Sequence, residues 1–179
     1  MYFAYPVDKP VLLSANFGEL RTNHFHAGLD FKTQGREGMS IYAVEDGYVS
    51  GIYVSGSGYG NSLFITHKNG LTTFYSHLLD FNTEIKKYIQ DYQYANKINE
   101  FKLWLTADSG LYVKKCEKIG LSGNTGSSRG PHLHFETIET ATGDVLNPLS
   151  FFPALKDNRA PMLYNIKLYP ADSTGFING

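Results

Sequence analysis

The sequence predicts a mainly β protein, rich in turns, with one helix inserted near residues 83–96. Three observations lead there. The 179 residues include 13 Tyr, 12 Phe and 18 Gly, a mix that suits pleated, half-buried surfaces joined by many turns. Short apolar segments are punctuated by the turn pairs Asp46-Gly47 and Asn69-Gly70. A single stretch repeats apolar residues at helical spacing, namely Ile85, Tyr88, Ile89 and Tyr92, behind Asn82 or Thr83 as cap and with Glu84 in the first turn.

Taken in order, residues 7–15 are apolar and β-like, interrupted by Asp8-Lys9-Pro10. Residues 16–21 read as a turn leading to His26-Ala27-Gly28-Leu29-Asp30. Residues 41–44 and 47–54 are strand candidates separated by Glu45-Asp46, followed by a Gly/Ser loop over 55–60. Residues 62–67 and 71–77 form a hairpin around Lys68-Asn69-Gly70, with Asn69-Gly70 as a type I′ pair. Two short strands are expected at 101–105 and 111–114, and a long Gly/Ser loop over 121–130 delivers the chain to His132. Residues 156–161 read as a linker, and 164–169 alternate as a strand of something that follows. The expected organisation is therefore one domain over 1–153, with an insertion at about 82–111, and a linker plus the start of a further β segment over 154–179.

Composition excludes several functions. Sixteen basic residues balance 17 acidic ones with no run of like charge, which argues against nucleic acid and polybasic membrane contacts. The lone Cys116 rules out an intrachain disulfide and reads as a buried small apolar residue. No apolar run approaches the ~20 residues of a transmembrane helix. The N-terminus lacks the pattern of a signal peptide, which fits either a chain that is not exported or the mature part of one that is. The Gly-rich loops match neither phosphate-binding fingerprint, so nucleotide binding is not expected.

The chemistry concentrates in histidines. In Gly130-Pro131-His132-Leu133-His134-Phe135-Glu136, strand alternation puts His132 and His134 on one face and Leu133 on the other. His26 and Asp30, four residues apart beside a glycine that lets the backbone turn, complete an N/O set that zinc accepts at roughly 2.0–2.2 Å with a position left for water. Spacing leaves open which of His132 and His134 ligates, and leaves His24 in competition with His26. The imidazole that does not ligate, and His77, are then available for proton transfer near neutral pH. Glu136 shares the face of His134 and either orients a histidine or is simply solvated. His67, Glu45 and Asp46 read as structural.

His26-Ala27-Gly28-Leu29-Asp30, Tyr75-Ser76-His77-Leu78 and Gly130-Pro131-His132-Leu133-His134-Phe135-Glu136, in this order, resemble the M23 family of zinc metallopeptidases, the lysostaphin-like or LytM-type peptidoglycan endopeptidases. Gly58-Tyr59-Gly60-Asn61 and Gly120-Leu121-Ser122-Gly123-Asn124-Thr125-Gly126 have counterparts there too, and the resemblance covers roughly residues 12–152. It implies a small antiparallel, barrel-like β core of the LytM type (a duplicated hybrid motif) with the site in a loop-walled groove. It implies one zinc per chain, with His26, Asp30 and His134 as ligands and His77 and His132 as catalytic histidines. Peptidoglycan peptides are the implied substrate, and the periplasm or cell exterior the implied location.

Two departures from the family are visible. The insertion after His77 is long and is expected to form a groove wall. Cys116 stands where a glycine is common. Competing readings are a non-catalytic activator of another wall hydrolase, which typically lacks the ligands present here, and a lipoyl-like or sugar-transport β-domain using histidine for phosphoryl transfer. A latent form with Asn16 reaching the ion is a further alternative, although Asn is commoner as a turn former.

Overall fold

The computed structural model describes residues 2–22 and 24–153; the linker and further segment expected over 154–179 lie outside them. Eleven strands and one helix follow in order: β1 (Leu13–Ala15), β2 (Leu29–Lys32), β3 (Ser40–Tyr42), β4 (Gly47–Val54), β5 (Asn61–His67), β6 (Leu71–Phe81), α1 (Thr83–Asn96), β7 (Phe101–Trp104), β8 (Tyr112–Val113), β9 (Lys118–Ser122), β10 (His132–Glu139) and β11 (Val145–Leu146). All pairings are antiparallel, and the main sheet runs β1-β2-β10-β6-β5-β4-β7; off this path β8 pairs with β4, β11 with β10, β9 with β6, and β3 with β9. The mainly β fold with one inserted helix is thus as the sequence predicts.

Period-2 alternation divides the central strands into two faces. Leu29 and Phe31 of β2, Leu133 and Phe135 of β10, Tyr75 of β6 and Leu63 and Ile65 of β5 are fully buried and form one core. Truncating such a residue, for example Phe135→Ala, removes about 3–5 kcal/mol. The intervening residues of β10, His132, His134 and Glu136, occupy the opposite face. The N-terminal segment closes the core's edge: Phe3 and Val7 are buried, Phe3 N donates to Phe151 O at 2.8 Å, and the Tyr5 ring stacks on Phe152 at 5.5 Å.

The helix lies where its periodicity put it. Asn82 Oδ1 accepts from Ile85 N at 2.9 Å as the N-cap, and Ile85 and Ile89 are the buried face.

Three expectations need correction. The loop at 68–70 is not a type I′ turn, because only Gly70 has positive φ (82°). Gly70 N donates to His67 O at 3.3 Å, so a three-residue connection ending in a left-handed glycine joins β5 to β6. Asp46-Gly47 does not close a hairpin, since β3 pairs with β9 rather than β4. Gly47 serves proximity instead: a Cβ there would lie 2.6 Å from Thr66 O. The Asp46 carboxylate accepts from Lys115 N at 2.8 Å, and Glu45 pairs with Lys115 Nζ at 2.8 Å. Cys116 is exposed, not buried, and adopts φ 66° in the turn between β8 and β9. Its N–H is held by Ala43 O at 2.8 Å, so a non-glycine residue carries the strain of a left-handed position.

Candidate metal centre and its groove

β10 runs between β2 and β6 with His134 opposite Asp30 on one side and Ser76 on the other. That register alone brings Asp30 to the imidazole. Gly28 is the condition for it: its φ is not positive, but a Cβ there would strike the main-chain carbonyl of Phe135. Its role is close approach of β2 to β10, not the tight turn expected from sequence. His26 arrives from the 16–26 loop, which is closed by His26 N to Glu19 O at 2.8 Å and by a Leu20–Phe25 bridge.

Three atoms converge. His26 Nε2, Asp30 Oδ1 and His134 Nδ1 lie 3.0, 2.9 and 3.0 Å apart around the triangle. His26 Nδ1 sits 2.8 Å from Asn16 O, a carbonyl that can only accept, so this nitrogen carries the hydrogen and Nε2 carries a lone pair. His134 Nε2 sits 2.8 Å from Glu136 Oε1, so its hydrogen faces Glu136 and its Nδ1 lone pair faces inward. Two imidazole lone pairs and a carboxylate therefore point at one another in a buried place. Such a triangle repels itself unless a cation sits against it, and two neutral imidazoles with one carboxylate are a donor set that zinc accepts. Asn16 contributes only its carbonyl, which orients His26.

Without a metal, a proton must do the job. Burial pulls His134 down, but the hydrogen bonds to Asp30 and Glu136 outweigh it and raise its pKa to about 8. Burial pushes Asp30 up, yet the bonds from His134 and His26 hold it far below the usual carboxylate range.

Two more imidazoles face the triangle. His132 Nδ1 donates to Gly130 O at 2.8 Å, leaving Nε2 inward, 3.6 Å from Asp30 Oδ1. His77 Nδ1 donates to Thr125 O at 2.8 Å, and the His77 and His132 rings are 4.8 Å apart. Burial depresses His77 to about 4, against the smaller upward pull of Thr125 O. His77 sits at φ 61°, where β6 kinks on its way from β10 and β5 to β9. The loops that supply these carbonyls interlock. A Cβ on Gly126 would strike Gly58 O and Gly60 N, so glycines there permit packing of loop on loop.

The groove over the triangle, about 960 Å³, is lined from residues 14–35, 58–59, 77 and 127–134. None of the lining comes from 82–111, so the insertion is not the wall expected of it; β7 instead extends the far edge of the sheet on β4. His24 lines the groove but stands outside the triangle. His67 is structural: buried, with Nδ1 on Asp46 O at 2.9 Å and Nε2 on Thr73 Oγ1 at 2.8 Å. Sequence reasoning missed Arg21, whose Nη2 holds the outer oxygen of Asp30 at 3.1 Å. It also missed Tyr59, whose ring lies 5.6 Å from that of His134. Arg21 occupies the loop read only as a turn, and only the fold turns it onto Asp30.

The description "Peptidase family M23" matches residues 24–98, which includes His26, Asp30 and His77. The chain carries a peptidase M23 domain. It is 31% identical over 131 residues to the DD-carboxypeptidase/endopeptidase Mpg of Neisseria meningitidis serogroup B, covering 73% of this chain and 24% of that protein. It is 33% identical over 141 residues to the peptidoglycan DD-endopeptidase ShyA of Vibrio cholerae, covering 75% and 26%. Among solved structures, a zinc containing peptidase from Vibrio cholerae superposes with a TM-score of 0.59 at 27% identity, covering 83% of this chain and 40% of that one. The chain spans about a quarter of the length of the curated relatives it matches. In this M23 domain, the groove and the converging triangle occupy one face of the β sheet, and the buried core occupies the other.

Proposed function

We propose that this M23 domain is a zinc-dependent endopeptidase that cuts peptide bonds in peptidoglycan. The carrying observation is the triangle of His26, Asp30 and His134, whose inward lone pairs require a cation, with the Nε2 atoms of His132 and His77 beside it. His26 Nε2, Asp30 Oδ1 and His134 Nδ1 would hold the ion. When bound, it would supply a Lewis acid that makes a water acidic and polarises a carbonyl.

The remaining work belongs to the chain. With both Nδ1 atoms committed to carbonyls, His132 and His77 each offer an Nε2 lone pair. Either can take a proton from an attacking water. Burial keeps His77 neutral at pH 7, so its Nε2 is a proton acceptor at rest and becomes a hydrogen-bond donor only after gaining one, while Nδ1 keeps donating to Thr125 O. A protonated imidazole there would then steady the oxyanion and return the proton to the leaving amine. Glu136 fixes the His134 tautomer, and Arg21 holds Asp30 so that one oxygen faces the triangle.

Peptidoglycan as substrate, and the cell envelope or exterior as location, rest on the names of the relatives. Among the described residues no helix is long and apolar enough to cross a membrane. All five positions hold residues able to do this chemistry, which favours an enzyme over a non-catalytic activator. Residues 1–153 would be the folding unit, since the segments at 2–7 and 151–153 bind each other.

The test is metal content of the purified chain together with release of muropeptides from purified sacculi, with and without chelator. One zinc per chain and chelator-sensitive release of cross-links is the expected result. Absence of both after zinc is restored would overturn the proposal.

A further inference from the structure

The walls of the groove are cationic. Of the residues that line it, Asp30 is the one carboxylate, and it belongs to the triangle. Two arginines line the same space from different loops, Arg21 from 16–26 and Arg129 from 123–131. Arg21 is spent on Asp30, at 3.1 Å, with Glu19 4.0 Å away. Arg129 is exposed and makes no hydrogen bond or ion pair to any described residue.

The backbone that carries Arg129 is nevertheless well held. Ser127 N donates to Gly58 O at 2.7 Å, Gly58 N to Ser127 Oγ at 3.1 Å, and Ser128 Oγ to Gly130 O at 2.9 Å. The same Gly130 carbonyl orients His132. Arg129 is therefore fixed at its Cα three residues from a candidate catalytic histidine, while its guanidinium is left for something from outside. A planar fork of donors with no acidic neighbour matches a carboxylate better than any other common peptide group.

We propose that Arg129 reads a free carboxylate of the substrate peptide beside the bond to be cut, so that the groove selects acidic peptides over their amidated counterparts. This rests on the peptidase reading above and adds a selectivity to it.

The test uses the zinc-loaded chain and a pair of stem-peptide analogues, one with free carboxylates and one amidated. Both have the scissile nitrogen methylated, so that binding is measured without cleavage. The free acid should bind about tenfold more tightly at low salt, as an Arg–carboxylate pair allows. The preference should shrink as salt is raised. Arg129→Gln should bring the ratio between the two peptides close to one, and Arg129→Lys should keep part of it, since a point charge replaces the fork. Equal affinity of the native chain for both peptides, or an undiminished ratio in Arg129→Gln, overturns the proposal. Failure of the peptidase reading shows separately, as intact sacculi despite a preserved binding ratio.

Discussion

In metal-free protein, raising the pH should loosen the fold, and zinc should reverse the trend. The three inward acceptor atoms of His26, Asp30 and His134 are reconciled by a proton on His134, whose pKa is raised from 6.5 to about 8. A group whose folded pKa lies above its unfolded value stabilises fully below the unfolded pKa and loses that contribution as pH rises through the folded one. The window is therefore pH 6.5 to somewhat above 8. At ~1.4 kcal/mol per pH unit this amounts to about 2 kcal/mol, or a fall in Tm of about 4–8 °C for a chain of this size. The other shifted histidines do not compete there, because His77 and His67 both have lowered pKa values and are neutral in both states above 6.5. Zinc demands deprotonated ligands, so its affinity grows over the same interval. Thermal unfolding at pH 6.0 and 8.5, in chelator and in zinc, should show the metal-free Tm falling and the gap between the two curves widening. A metal-free Tm that stays level or rises would refute the lone-pair argument.

Other expectations follow from single contacts. His134→Ala should abolish zinc binding and hydrolysis together, whereas His132→Ala should abolish hydrolysis and largely spare zinc; loss of the metal from His132→Ala, read by elemental analysis, would contradict the ligand assignment. Arg21→Met should lower zinc affinity about 10–100-fold by freeing the outer oxygen of Asp30, measured by competition with a chelating dye. Cys116→Gly should raise stability by about 1 kcal/mol in denaturant unfolding, because it relieves a left-handed non-glycine position. Gly28→Ala should cost about 1–3 kcal/mol and weaken zinc binding as well, since the added methyl forces β2 away from β10.

The parts of this structure legible in the sequence are those set by local pattern. The alternation His132-Leu133-His134-Phe135 placed one face on the core and one on the groove. The spacing of Ile85 and Ile89 behind Asn82 gave the helix with its cap. Contacts that depend on partners far along the chain were not legible. Asp46-Gly47 carries a hairpin signal, yet β3 finds β9, and the glycine is needed for an approach to Thr66. Gly28 reads as a turn residue and acts as a spacer against Phe135. Cys116 reads as buried because cysteines usually are, but the carboxylate of Asp46 and the carbonyl of Ala43 pin its turn at the surface. The groove's charge was invisible because Arg21 and Arg129 lie 108 residues apart in the sequence and come to line one groove only in the folded chain.

Three of the four imidazoles at the centre owe their orientation to main-chain carbonyls, those of Asn16, Thr125 and Gly130. Such holds use no side-chain atom of the accepting residue, although at Thr125 the hydroxyl separately pins the loop by donating to Leu78 O at 2.9 Å. His134 is the exception, held by the Glu136 side chain. One point change, Glu136→Gln, therefore replaces the charged partner of a single imidazole at the centre and leaves the holds on the other three in place.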